Sequence, residues 1–330
     1  MNAITIDEVK QAARRLAAVL QATPLLPLRP AAAVQSVYLQ PELFQVIGSF
    51  KIRGVYNAVT QLTVQQRAAG LSTVSAGNTA QALAWCARHF GVVARSLMPE
   101  GAPQTKLDAV RKWGGQPIVV SRDELFRFLR EERWNDEPYA FIHPWTDRNV
   151  MIGHGTIGLE LHAALPDLAA VYVPVGGGGL IGGVAATLKQ LNPAIRIIAV
   201  EPVGCAAFHA SLAAGRPVAA GCDTICDGVA VPYFTQEVFD RVAGFVDEAV
   251  LVTDDDVRLA VAQLAQINKL VVEPSGALAV VAASQQHDPA AGTAVALVTG
   301  GAIEPSLLAD LLTTPGATPS GDVGVDGEGP

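Results

Sequence analysis

Lysine is scarce in this chain, six of 23 basic residues, and Lys51 stands in Gly48-Ser49-Phe50-Lys51-Ile52-Arg53-Gly54, beside an aromatic ring and bracketed by glycines. An amine with apolar neighbours loses solvation, which favours its neutral, nucleophilic form and permits a Schiff base with an aldehyde. A lone lysine is more commonly a solvated surface charge. The second chemical signal is a β-branched run, residues 171–175, that leads into Gly176-Gly177-Gly178-Gly179-Leu180-Ile181-Gly182-Gly183. A strand feeding a glycine loop that opens a helix presents bare N–H groups and the positive end of the helix dipole, which suits a phosphate. The plain alternative is a flexible turn, but four consecutive glycines are costly to order without a ligand.

Gly177, Gly179 and Gly182 also satisfy G-x-G-x-x-G, and Glu201 ends the next expected strand. That is a dinucleotide-binding arrangement, so an NAD(P)-dependent oxidoreductase is the rival reading. The rival leaves the unit mid-chain and gives Lys51 no role. Other signatures are missing: the six histidines show no H-E-x-x-H spacing, and neither a G-x-S-x-G elbow nor a G-K-[ST] loop occurs. Cys86, Cys205, Cys222 and Cys226 are scattered, and Cys222 and Cys226 lack a second pair for zinc. Reduced thiols in a cytosolic enzyme are expected.

The elements that must position these groups read as an alternation. Residues 5–8, Thr-Ile-Asp-Glu, form a capping box ahead of a helical pattern of Val9, Ala13, Leu16 and Leu20. Short β-rich runs at 71–75, 95–98 and 117–120 alternate with helical stretches at 79–90, 104–113 and 122–134. A second series has strands at 171–175, 195–200, 250–252 and 294–298, with helices at 183–190, 254–268 and 275–285. The fold class is therefore α/β: two open, mostly parallel twisted sheets with helices on both faces and an active site between them. The chain has 330 residues, half of them hydrophobic, enough for two domains. Residues 313–330 are Gly/Pro/Asp-rich and read as a disordered tail. A formal net charge of −8 argues against nucleic acid as partner. The longest uncharged run, 168–188, is broken by glycines and Pro174 and does not read as a membrane span. With no apolar leader after Met1, a cytoplasmic location is expected.

Residues 42–54, the loop Ser75-Ala76-Gly77-Asn78-Thr79 and the glycine loop together resemble the fold-type II pyridoxal phosphate enzymes, in the serine/threonine dehydratase branch. Further matches are Met98-Pro99 with Lys106, GHGTIGLE at 153–160, Asp227-Gly228, Glu273-Pro274-Ser275-Gly276 and Thr299-Gly300-Gly301. The likeness runs in order from about residue 5 to 312 and implies a large domain of 1–45 and 144–312 around a small one of 46–143. It further implies that Lys51 carries pyridoxal 5'-phosphate, that Phe50 packs near the ring and that Asn78 meets the ring hydroxyl. Gly176, Gly177, Gly178 and Gly179 would hold the phosphate, Gly228 would lie beside the cofactor, and Thr299 would meet the pyridine nitrogen. Ser75, Ala76, Gly77, Asn78 and Thr79 would receive the substrate carboxylate at a helix N-terminus.

A hydroxyl at the ring nitrogen cannot protonate it as a carboxylate would, which favours β-elimination over transamination. The resemblance thus implies an ammonia-lyase acting on a 3-hydroxy amino acid, with Lys51 as general base and the cofactor phosphate as acid. Serine and threonine are the first expectations, and a bulkier β-substituent such as that of phenylserine or hydroxyaspartate stays open. A cofactor-binding relative without catalysis is a further alternative. Thr79 stands where the family has histidine, Gln40 where lysine is common and Trp145 where phenylalanine is common. Ala76 replaces the second serine of racemases, so racemisation should be poor. Metal-binding members pair a glutamate, a carbonyl and an aspartate; Glu201 and Cys205 match the first two, but Ala207 replaces the third. No metal is expected beyond a weak site there. Structural roles are expected for His143, His154 and His162. The branch implies dimers, and the lack of a folded segment after 312 implies no end-product control.

Overall fold

The computed structural model describes residues 3–29, 36–75 and 77–313, so Ala76 and the tail beyond Thr313 lie outside the described residues. Among the described residues ten strands are formed: β1 Leu26–Pro27, β2 Val37–Pro41, β3 Leu71–Val74, β4 Ala94–Pro99, β5 Gln116–Val120, β6 Ala140–Phe141, β7 Leu168–Pro174, β8 Arg196–Pro202, β9 Glu248–Val252 and β10 Thr293–Val298. They make a six-stranded sheet, order β1-β2-β10-β7-β8-β9, and a four-stranded sheet, order β5-β4-β3-β6. Every pairing is parallel except β1 with β2.

The strand sequences account for this arrangement. Along β7, Val171 and Val173 enter one core while Ala170 and Tyr172 enter another. β8 divides Ile197 and Ala199 from Ile198 and Val200 in the same way, and β10 divides Val295 and Leu297 from Ala294, Ala296 and Val298. A side-chain period of two, apolar at every step, is what a sheet covered on both faces demands. The expected strands fall where these runs occur. The pair β1 and β2, absent from the expectation, extends the larger sheet, with β2 parallel to β10.

Two helices differ from the expected picture in ways that matter for the site. The helix expected from Gly183 begins at Gly179 and runs to Leu191, so Gly182 and Gly183 are helical. Their reason is packing: a Cβ on Gly183 would lie 2.1 Å from the Met151 carbonyl oxygen, in the helix Arg148–Ala164. On that helix a Cβ at Gly155 would lie 2.6 Å from the Thr187 hydroxyl, and one at Gly153 would lie 2.3 Å from the Arg53 carbonyl oxygen. The 153–160 segment therefore serves as a glycine-lined seam, with the Lys51–Gln61 helix on one side and the Gly179–Leu191 helix on the other.

Beside this seam Arg53 is buried, as is Glu42. The guanidinium donates to both Glu42 oxygens at 2.7 and 2.8 Å, to both Glu160 oxygens at 2.6 and 2.9 Å, and to the Thr156 and Thr23 hydroxyls. The two carboxylates outweigh the cost of burial and hold the guanidinium firmly protonated.

The cysteine expectation is corrected. Cys205 and Cys222 form a disulfide, while Cys86 and Cys226 are free and buried. The turn after β8 packs backbone on backbone against residues 221–223: the Asp223 N–H donates to the Gly204 carbonyl at 2.9 Å, and a Cβ on Gly204 would lie 1.8 Å from the Asp223 oxygen. That approach brings the two Cα atoms within 4.2 Å, a proximity no sequence spacing discloses. Among the described residues no helix is long and apolar enough to cross a membrane.

Two measurements follow. Arg53→Ala strands buried Glu42 without its cation, and chemical denaturation should show a loss of about 3–5 kcal/mol; a change under 1 kcal/mol would contradict this account. Thiol titration of the denatured, unreduced chain should find two reactive cysteines, rising to four after reduction, whereas four at the outset would remove the disulfide.

Candidate active site

Just past the ends of β3, β7 and β10 come Ser75, Gly176 and Thr299, and all three open on one cavity of about 290 Å³. Ligands of open parallel sheets sit in such crevices, outside the carboxyl ends of the strands. The cavity walls include Phe50, Lys51, Ser75, Gly77, Asn78, Thr79, the four glycines Gly176, Gly177, Gly178 and Gly179, Gly228 and Thr299. Every described residue given a cofactor or substrate role by the family resemblance therefore lines one space.

Lys51 is the first residue of the helix Lys51–Gln61. Residues 48–50 are tied to the end of β10: Ser49 bridges Gly300, the Phe50 N–H donates to the Thr299 carbonyl at 3.1 Å, and the Gly301 N–H donates to the Gly48 carbonyl at 3.0 Å. Phe50 is buried with its ring centroid 4.7 Å from that of His154, and the Lys51 ammonium lies 4.9 Å from the Phe50 centroid. Burial pushes the Lys51 pKa down to about 8, opposed by the Glu273 carboxylate. His154 is buried, its pKa held well below the usual range by burial and then by Lys51 and Arg53. It is a neutral packing ring beneath Phe50, in keeping with a structural role.

The glycine cradle is shaped by what touches it. A Cβ on Gly177 would lie 2.3 Å from the Trp145 ring, one on Gly176 would lie 2.9 Å from the Val229 Cα, and Gly178 has φ +87°, a left-handed conformation that favours glycine. The N–H groups of residues 177–180 meet no acceptor among the described residues, and no side chain caps the helix they open. These are free donors at the positive end of a thirteen-residue helix.

Across the cavity, the Gly77 N–H donates to the Ser75 hydroxyl at 3.0 Å, and Asn78 and Thr79 begin the helix Asn78–Phe90, again without a side-chain cap. Asn78 donates through Nδ2 to the Glu273 carboxylate at 2.6 Å, while its buried Oδ1 has no partner. The Gly228 N–H donates to the Ser275 hydroxyl at 2.9 Å. An uncommitted amide oxygen, a phosphate-sized cradle without side chains and a desolvated amine together fit pyridoxal phosphate. Lys51 would attach its aldehyde, residues 176–179 would hold its phosphate, and Asn78 and Thr299 would face its ring.

The oxidoreductase rival fails on the same geometry. Glu201 lies outside the cavity, is buried, and accepts the N–H groups of Phe208 and His209 at 2.9 and 2.7 Å. Burial raises its carboxyl to about 7 against those two hydrogen bonds. With both oxygens capping the helix Ala207–Ala214, it has no route to a ribose. The Cys205 sulfur is committed to the disulfide, and among the described residues no cluster of three metal-binding side chains occurs. Lys106, Asp227 and Glu273 also line the cavity; the sequence marked them only as matched motifs, because nothing in their spacing discloses that they meet.

The lowered Lys51 pKa predicts a pH dependence. An amine is nucleophilic when neutral, so reaction of the cofactor-free protein with a pyridoxal aldehyde should quicken with rising pH and level off above about 8. A midpoint near 10, measured by absorbance, would show that Lys51 is not desolvated.

Comparison with known proteins agrees with this geometry. Residues 16–300 match the model of the family described as pyridoxal-phosphate dependent enzyme. An L-threonine ammonia-lyase of Thermotoga maritima is 36% identical over 324 residues, 96% of this chain and 80% of that protein. The structure of maize serine racemase superposes with a TM-score of 0.87 at 32% identity, covering 94% of this chain and 97% of that one. The processed form of threonine deaminase isoform 2 from Solanum lycopersicum gives 0.82 at 34% identity, with 94% of each chain covered. By the extent of that match and the fit of its cavity, the chain belongs to the pyridoxal-phosphate dependent enzyme family.

Proposed function

We propose that this protein is an ammonia-lyase that converts a 3-hydroxy amino acid, L-threonine or L-serine in the first instance, to a 2-oxo acid and ammonia. The observation that carries the reading is the meeting of Lys51, an uncapped helix start at Asn78 and the Thr299 side chain in one cavity. The relatives named as L-threonine ammonia-lyase and threonine deaminase support the same chemistry.

Bound pyridoxal phosphate supplies the electron sink for charge developing at the substrate Cα. The residues of the chain do the rest. The N–H groups at the start of the Asn78–Phe90 helix receive the substrate carboxylate, held there by the helix dipole. Lys51, once its amine is released, takes the Cα proton as general base; a pKa near 8 leaves a useful neutral fraction at neutral pH. Thr299 offers the ring a hydroxyl, which hydrogen-bonds without transferring a full proton, and so favours loss of the β-hydroxyl. Water leaves first, and hydrolysis of the resulting enamine returns a water and releases ammonia.

The walls of the same cavity beyond the loop include Leu125, Phe126, Trp145 and Val231, an apolar lining that supports acceptance of a β-substituent larger than methyl, as in phenylserine. With alanine at position 76, no second acid–base hydroxyl is supplied there, so elimination exceeds racemisation.

A panel of L-serine, L-threonine, both phenylserine diastereomers and 3-hydroxyaspartate should give 2-oxo acid and ammonia in equal amounts from at least one member, with little D-serine from L-serine. Lys51→Ala should lower that rate by at least about a thousandfold. If the loaded protein released no ammonia from any member, a binding role without catalysis would replace this reading.

A further inference from the structure

Lys106 has no part in the steps above, yet it is buried against the cavity and its two ends touch two functional segments. Its stem lies against Gly77: a Cβ there would come within 2.4 Å of the Lys106 Cδ, 3.0 Å of Cγ and 3.3 Å of Cβ. Its ammonium lies 2.5 Å from Asp227 Oδ2 and 3.4 Å from Glu273 Oε2. Glu273 in turn accepts from Asn78 Nδ2 through its other oxygen.

The chemistry of that chain is directional. Glu273 is buried, and burial together with the nearby Asp227 carboxylate drives it toward the neutral acid and raises its pKa overall, while the Lys106 cation and the Asn78 N–H draw it back toward the carboxylate. A carboxylate only accepts hydrogen bonds. While it is ionised, the Asn78 amide must present an N–H to it, which leaves Oδ1 and the second N–H uncommitted. A neutral Glu273 would accept or donate, and the amide could turn over, exchanging its donor and acceptor.

We infer that Lys106 is a positioning residue that couples the substrate-carboxylate loop to the orientation of the Asn78 amide, its stem setting the first and its charge, through Glu273, the second. The same cation spans the cleft, since Lys106 belongs to the helix Gln104–Lys112 beside the four-stranded sheet while Asp227 and Glu273 belong to the six-stranded side. The inference rests on the assignment of the 75–79 loop to the substrate carboxylate.

The test uses holoenzyme and two unreactive amines, L-alanine, which has a carboxylate, and L-alaninol, which lacks one, each titrated by the change in cofactor absorbance. Lys106→Met keeps most of the stem and removes the charge; it should shift the absorbance band of the unliganded holoenzyme and weaken L-alanine by about tenfold or more, with a much smaller effect on L-alaninol. Lys106→Arg should restore most of the band position. Gly77→Ala, which drives a methyl group into the stem, should weaken L-alanine selectively even if Lys106→Met does not fold. Its effect should shrink in a Lys106→Ala background, where the obstructed stem is gone. An unshifted band together with equal losses for the two ligands, or a lowered melting temperature with unchanged titrations, would overturn the inference. Wild-type holoenzyme that binds L-alanine but eliminates nothing would instead refute the proposed reaction and leave this coupling standing.

Discussion

Backbone touches backbone at the centre of this protein, and that contact fixes the distance between its reactive parts. The helix Arg148–Ala164 has no side chain at Gly153 or Gly155, where it meets the Lys51–Gln61 helix and the Gly179–Leu191 helix. Both neighbours start at the cavity, one with the amine and the other with the glycine cradle. A methyl group at either seam would have to push one of those starts away. Protein interiors are packed too densely to absorb such a shift nearby, so the spacing between amine and cradle is set several residues away from either.

Charge is arranged around this frame in two ways. Arg53, saturated by Glu42 and Glu160, is a structural cation whose hydrogen bonds are all spent on the protein. Lys51 has no direct carboxylate partner among the described residues and is lowered by burial, which keeps its amine available. Two residues apart on one helix, they show how burial with good partners makes a permanent cation, whereas burial without them makes a nucleophile.

Much of this was legible in the sequence. The strands at 171–175 and 294–298 announced themselves because parallel strands covered on both faces are nearly all apolar, whereas 71–75, with Ser72 and Thr73 inside it, showed only as a short β-branched run ahead of a helical stretch. The Lys51 segment and the glycine loop were legible because unusual residues stand in a row. Less legible was β2, whose Tyr, Gln and Pro residues give no alternation. The role of the glycines at 153, 155 and 183 escaped because helix contacts pair residues by geometry and not by spacing. The same holds for the Cys205–Cys222 pair and for Lys106 with Glu273, whose partners lie far apart along the chain.

The disulfide bears on how a substrate gets in. It staples the segment that leads to Asp227 and Gly228 onto the end of β8, and the same segment is anchored by the Ile225 N–H and the Thr224 hydroxyl on Asp254. One rim of the cavity is thereby bolted to the larger sheet. The opposite rim, with Lys106 on the helix Gln104–Lys112, hangs from the four-stranded sheet and, among the described residues, carries no covalent tie of that kind.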